Sequence, residues 1–288
     1  MAVDVDRLTN LAVDSRVRAY TRKDARLYAL SVGFGNDPLD EQELDYVTDR
    51  PGFRCVPTMA TIFADVILDL SRACELERPD LAVHGVQKLH CCAPLPDEAE
   101  LEIGGSITAI YDRGADRGAE LHMVAEAGLR GATEPLFRAT YVTIARGDGG
   151  FGGPAPAYKA SNPTPSSDPD AIREFNVPRN QALVYSLNGD PNPIHTQPEM
   201  ARRAGFDVPI LHGLCTYGMA CRAVLGAYCD YDPTSMKSFD ARFSAPVFPG
   251  ETLIFELWPG NDGVAFRARS RERDVLVLKD GFSRISRN

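Results

Sequence analysis

The sequence predicts an α+β protein in which one domain is made twice, each copy a curved antiparallel sheet around a central helix. Three observations carry this. Short landmarks recur in the same order in the two halves. Each half holds one apolar stretch of helical period. Segments of strand period follow each of those stretches.

The landmarks set the organisation. Ala25-Arg26-Leu27-Tyr28-Ala29-Leu30 is matched by Ala182-Leu183-Val184-Tyr185-Ser186-Leu187, and Val56-Pro57 by Val208-Pro209. Ala93-Pro94-Leu95-Pro96 is matched by Ala245-Pro246-Val247-Phe248-Pro249. The offset is 157 at the tyrosines and 152 at both later points, so one five-residue difference in length explains the change. Such a period means two copies of a domain and not a solenoid. Residues 146–170 contain five glycines and five prolines, a composition that reads as a surface linker. The expected domains are therefore a first half, residues 1–145, that linker, and a second half, residues 171–288.

Met59, Ile62, Phe63, Val66, Ile67 and Leu70 fall on one face of a helix. Leu214, Tyr217, Cys221, Val224 and Leu225 do nearly the same, with Gly218, Ala220, Ala223 and Gly226 on the remaining faces. A helix apolar or small all round is a buried one. Leu121, Met123, Ala125 and Ala127 alternate as a strand would, as do Leu253, Phe255 and Leu257, then Val264, Phe266 and Ala268, then Val275 and Val277.

Composition excludes several classes. A net charge of -9 argues against non-specific nucleic-acid binding. No apolar run reaches the roughly 20 residues of a membrane span. The first 14 residues lack the apolar core of a secretory signal, and Ser286-Arg287-Asn288 is not a Ser-Lys-Leu address. The seven cysteines show no metal spacing, and Cys91 and Cys92 are adjacent. Reduced, mostly buried thiols in a cytoplasmic protein are expected. No metal is expected either, because histidines 84, 90, 122, 195 and 212 show no ligand spacing. No Gly-rich nucleotide fingerprint follows a strand.

The chemistry concentrates in Tyr185-Ser186-Leu187-Asn188-Gly189-Asp190-Pro191-Asn192-Pro193-Ile194-His195. Asn180 to Leu187 can form a short helix, which Asn188-Gly189 ends. Two prolines then stiffen the loop, so Asp190, Asn192 and His195 are held in a set geometry. An acid and an imidazole on such a loop can converge on one water, one taking its proton while the other orients it. Composition alone is also that of an ordinary turn.

This pattern resembles the signature of the hydratase 2 enzymes, which is shared with MaoC-like dehydratases. Pro209-Ile210-Leu211-His212-Gly213-Leu214 resembles the family's entry into its central helix. The resemblance implies a double hot-dog fold and an (R)-specific enoyl-CoA hydratase of fatty-acid or sterol side-chain metabolism. In that reading Asp190 and His195 activate the water and Asn192 orients it or the dyad. The Gly213 N–H meets the developing enolate oxygen, and Tyr185 borders the site. A histidine in the place of His212 ordinarily bonds nearby backbone, although it could serve as a base. The first half keeps Tyr28 and Gly33 but lacks the Asn-Pro-x-His, so it is expected to be catalytically silent and to bind substrate. There His84 and Gly85 resemble a segment lining the acyl-CoA site, with Val86 where the family more often has an acid. Arg113, Arg242 and Phe243 are candidates for contacts to the thioester ligand, the arginines for its phosphates. Coenzyme A enters as part of the substrate, no separate cofactor is implied, and a homodimer is expected. Rival readings are a (3R)-hydroxyacyl-ACP dehydratase, a non-catalytic acyl-thioester-binding subunit, and a thioesterase.

Overall fold

The computed structural model describes residues 3–9, 11–156 and 163–286. Part of the expected linker, residues 157–162, and the terminal Arg287-Asn288 lie outside the described residues. In chain order the elements are α1 (Val5–Leu8), β1 (Ala12–Tyr20), α2 (Arg22–Ser31), α3 (Glu41–Val47), α4 (Asp65–Ala73), β2 (Ala82–Cys91) and β3 (Ala99–Asp112). They continue with β4 (Ala119–Leu129), β5 (Pro135–Ala145), β6 (Ala171–Asn176), α5 (Gln181–Ser186), α6 (Pro198–Arg203), α7 (Gly213–Tyr228), β7 (Met236–Phe243), β8 (Thr252–Pro259), β9 (Gly263–Ser270) and β10 (Val275–Ile285).

The chain forms two compact units. The first holds residues 1–19, 63–93 and 100–161; the second holds 20–62, 94–99 and 162–288. The sequence halves follow the repeat, whereas the units follow contact: α2 and α3 belong to the first half and lie in the second unit. Strand order is β1-β3-β4-β5-β2 in the first unit and β6-β8-β9-β10-β7 in the second. Matching the strands by chain order makes these two orders the same, which is the internal duplication seen in space.

In the second unit, α7 packs against all five strands. Its residues Cys215 to Leu225 are buried without interruption, as an all-round apolar helix requires. The sheet bends to enclose it: β10 is irregular against both neighbours near residues 279–282. Gly281 permits this bend, since a Cβ there would lie 2.4 Å from the Phe266 ring. Tyr217 meets Phe239 edge-on and Phe239 stacks on Phe266, with centroids 4.9 and 4.7 Å apart. Arg222 of α7 is buried against Glu43 of α3 through bonds of 2.6 and 3.0 Å. Gly218 lets α7 approach α2, where a Cβ would stand 2.5 Å from Val32.

The first unit differs from expectation at its helix. The apolar stretch from Met59 to Leu70 is not one helix; it is a 3-10 turn, Pro57–Ile62, then α4, Asp65–Ala73, and the two lie in different units. The Thr61 hydroxyl donates to the Thr58 carbonyl at 2.8 Å, occupying an oxygen that a continuous α-helix gives to Ile62. An i, i+3 spacing suits both helix types, so the apolar face persists through the break: Met59, Phe63, Val66, Ile67 and Leu70 are all buried.

The start of the Gly/Pro-rich stretch is anchored. The Asp112 carboxylate accepts N–H bonds from Gly114, Gly150 and Gly152 at 2.7–2.8 Å, and these hold it below the usual carboxylate range. Gly149 sits so close to residues 114–118 that a Cβ would stand 2.3 Å from the Gly114 carbonyl oxygen. These glycines serve close backbone approach as well as turning.

Five of the seven cysteines are buried, and all are free thiols. Among the described residues no helix is long and apolar enough to cross a membrane.

Candidate active site

The site is built on two segments of the second unit. In the first, α5 ends as expected at Asn188-Gly189, with Gly189 at φ +104°. The Asn188 side chain donates to the Tyr185 carbonyl and to the Ser31 hydroxyl, both at 2.9 Å, which fixes the exit from the helix. Two side chains then fold back on the chain. Asp190 Oδ1 accepts the Asn192 N–H at 2.9 Å, and Asn192 Oδ1 accepts the Ile194 N–H at 3.3 Å. Pro193 starts the 3-10 turn Pro193–His195 that delivers His195 into the interior. Asn192 itself is exposed; it acts on Asp190 through its backbone and on the turn through its side chain.

The second segment is Ile210-Leu211-His212-Gly213. The Ile210 carbonyl accepts from His195 Nδ1 at 2.9 Å, so Nδ1 carries the proton and Nε2 is the basic nitrogen. Leu211 N–H donates to the Val247 carbonyl at 2.7 Å. His212 occupies the N-cap of α7 and makes no capping bond. Among the described residues neither of its ring nitrogens has a hydrogen-bond partner, so the expectation that it bonds nearby backbone is corrected. Its ring stacks instead on His195, with centroids 3.8 Å apart and planes at 28°, and stands 4.9 Å from the Tyr185 ring.

Asp190, His195 and His212 converge. One oxygen of Asp190 and one nitrogen of each imidazole lie within 4.8 Å of one another. Burial pushes the His195 pKa down, opposed by the bond to Ile210 and by the Asp190 charge. Burial, with His195 beside it, pushes His212 down to about 3. Both rings are therefore neutral near pH 7, and His195 Nε2 can accept a proton. The three donor atoms are close enough to one another to meet a single water. The same three donor atoms are also close enough together to hold a metal ion.

Gly213 is the first residue of α7, and its N–H has no acceptor among the described residues. The residue is exposed. Phe243 lies against it: a Cβ on Gly213 would be 3.1 to 3.5 Å from the ring. Asp190, His195, Tyr185, Gly213 and Phe243 thus sit on the same unit.

His84, Gly85 and Arg113 lie in the first unit. Gly85 is the extra residue of a bulge between His84 and Val86 on β2; a Cβ there would be 2.8 Å from Ile144. The bulge brings His84 Nε2 to the Val86 carbonyl at 3.1 Å and its ring parallel to Tyr141. Desolvation keeps His84 neutral, its pKa lowered to about 4. Arg113 ends β3 in a turn closed by its N–H to the Gly118 carbonyl at 3.0 Å.

The sequence reading named His212 as a backbone partner or a base and did not foresee its stacking on His195. The available signal was its place: Ser, Thr, Asp or Asn normally caps a helix, and a histidine there leaves the first N–H groups open. It also missed Val247 and Ser31, which act through bonds that sequence spacing does not reveal.

Comparison with known proteins finds two family domains in the chain. Residues 19–147 match the MFE-2 hydratase 2 N-terminal domain, and residues 160–280 match the MaoC like domain. A probable enoyl-CoA hydratase 2 of Dictyostelium discoideum is 36% identical over 99% of this chain and 97% of its own. The peroxisomal enoyl-CoA hydratase 2 of Arabidopsis thaliana is 35% identical over 90% of this chain and 88% of its own. The crystal structure of a MaoC-like dehydratase from Phytophthora capsici superposes with a TM-score of 0.89 at 27% identity, covering 99% of both chains. With a doubled hot-dog architecture, both family domains in order and relatives aligned from end to end, the chain belongs to the MaoC-like enoyl-CoA hydratase 2 family.

Proposed function

We propose that the protein is an (R)-specific enoyl-CoA hydratase of fatty-acid metabolism, adding water reversibly to a trans-2-enoyl-CoA. The observation that carries the proposal is the convergence of Asp190 and the unprotonated nitrogen of His195 beside the open N–H of Gly213. Water held by the dyad loses a proton to it as the hydroxyl adds to C3. Negative charge moves to the thioester oxygen, which the Gly213 N–H meets at the positive end of α7. The dyad returns a proton to C2 on the same face, giving the (3R)-hydroxyacyl thioester. Either member of the Asp190–His195 pair can carry that proton, so it belongs to the dyad. Tyr185 and His212 wall the dyad against bulk water, and the step as written needs no metal.

Full-length relatives named enoyl-CoA hydratase 2 support the coenzyme A thioester as substrate. We assign His84, Gly85 and Arg113 to substrate binding and read the protein as a cytoplasmic homodimer. The buried free thiols support the reducing compartment, although one relative is named as peroxisomal.

The test is the loss of enoyl absorbance of trans-2-butenoyl-CoA, with chiral analysis of the product. Asp190→Asn and His195→Gln are each expected to lower kcat by at least about 1,000-fold with folding intact. Wild-type turnover matched by Asp190→Asn would refute the assignment.

A further inference from the structure

A third segment of the second unit touches the backbone of the site. The Phe243 ring lies against Gly213, and the carbonyl of Val247 accepts the Leu211 N–H at 2.7 Å. Residues 244–251 form neither helix nor strand, and Pro246 and Pro249 have no N–H to give a ladder. Backbone bonds tie its two ends, Ser244 N–H to the Val277 carbonyl and Gly250 N–H to the Val177 carbonyl, and side chains brace the part between them.

Arg273, in the turn between β9 and β10, does this. Its guanidinium makes a two-pronged ion pair with Glu251, Nε meeting Oε1 and Nη2 meeting Oε2, the latter at 3.0 Å. Nη2 also donates to the Pro246 carbonyl at 2.6 Å, and the guanidinium stands 4.9 Å from the centre of the Phe248 ring. Glu251 Oε2 accepts the Phe248 N–H at 3.1 Å. An exposed ion pair would contribute little, but Glu251 is only 8% exposed and every bond here is charge-assisted. Neither residue belongs to the loop or helix-start motifs.

We propose that Arg273 and Glu251 are positioning residues for the hydration reaction. They clamp the 246–251 turn, and its Val247 carbonyl fixes the stretch that carries three parts of the site: the Ile210 carbonyl, the His212 ring and the Gly213 N–H. The inference rests on the hydratase reading above. Among the described residues, the hydrogen bonds of residues 210–212 run to His195, to Val247 and, through the His212 carbonyl, into α7. Releasing the clamp lets His195 and the Gly213 donor drift together by tenths of an ångström. Contacts made in the transition state suffer, while the rest of the substrate still binds. The expected signature is a fall in kcat at nearly constant KM.

The experiment uses the full chain, with trans-2-butenoyl-CoA as probe and four variants: Arg273→Met, Glu251→Gln, the double variant and Arg273→Lys. Amide exchange of the peptide spanning residues 208–215 is followed in parallel. A misplacement near 1 Å is worth about 100-fold, so each neutralising substitution is expected to lower kcat by roughly tenfold. KM should stay within about twofold, and the double variant should be no worse than the weaker single one, because both remove the same clamp. Arg273→Lys keeps the charge but not the fork, and is expected between wild type and Arg273→Met. Exchange at Leu211 should accelerate in the folded variants. Wild-type kcat and exchange in Arg273→Lys and Glu251→Gln would overturn the proposal, as would additive losses in the double variant. An inactive wild type would overturn the hydratase reading instead, and the exchange data would still decide the clamp.

Discussion

Replacing Gly213 by proline isolates the proposed enolate donor. Proline removes the N–H, yet it is tolerated at the first position of a helix, where that N–H has no intrahelical partner. The preceding residue must be extended, and His212 already has φ -58° and ψ 133°. The new Cβ would meet the Phe243 ring at 3.1 to 3.5 Å, a contact the ring can relieve by shifting a few tenths of an ångström. That cost is offset by about 0.4–1 kcal/mol from a less flexible unfolded chain, so the melting temperature should change by only a few degrees. Gly213→Ala is the matched control: it adds a similar Cβ contact and keeps the donor. Loss of one oxyanion donor costs about 2.7–4 kcal/mol in the transition state, or 100- to 1,000-fold in kcat. Gly213→Pro should show that loss relative to Gly213→Ala in the enoyl absorbance assay, with both variants folded by circular dichroism. A proline variant within about threefold of the alanine variant would refute the role of this amide.

Two other outcomes follow from the same structure. His212 has its pKa lowered from 6.5 to about 3, so the unfolded chain binds the proton first as pH falls. Its contribution is complete above pH 6.5 and is lost progressively below it; at pH 4.5 the loss is roughly 2–3 kcal/mol. His212→Phe should therefore narrow the difference between urea midpoints measured at pH 7 and pH 4.5. Asp112→Ala removes the acceptor of three glycine N–H groups and should speed limited proteolysis within residues 146–156, with little change in melting temperature; equal cleavage rates would count against the anchor.

The sequence was most readable where backbone chemistry is strict. The Asn-Gly stop and the two prolines dictate the catalytic loop almost residue by residue, and the small faces of α7 announce a buried helix. It was least readable at β1 and β6, which are largely exposed and so show no apolar alternation. Gly104 and Gly105 likewise obscure β3; Gly105 is there because a Cβ would meet Val66 of α4 at 2.9 Å. The Thr58–Thr61 bond breaks a helix whose apolar spacing looks continuous. Glycines after residue 146 resemble a loose tether, since the carboxylate that gathers them lies more than thirty residues earlier, at Asp112. Within the site, Asp190 and His195 were legible from the motif, whereas Val247, the partner of Leu211, and Ser31, one of the two partners of Asn188, come from remote sequence.

The way the two compact units share the chain bears on how the protein is made. The parts of the first unit have all been synthesised once residue 161 is added. Residues 20–62 cannot settle then, because the strands and the long helix that they join come from residues 162–288. Helices α2 and α3 must wait through more than a hundred further residues of translation, with Tyr28, Phe34 and Tyr46 still uncovered. Severing the chain late in the Gly/Pro-rich stretch, after residue 161, would therefore leave every part of the first unit in one piece and divide the second unit between two.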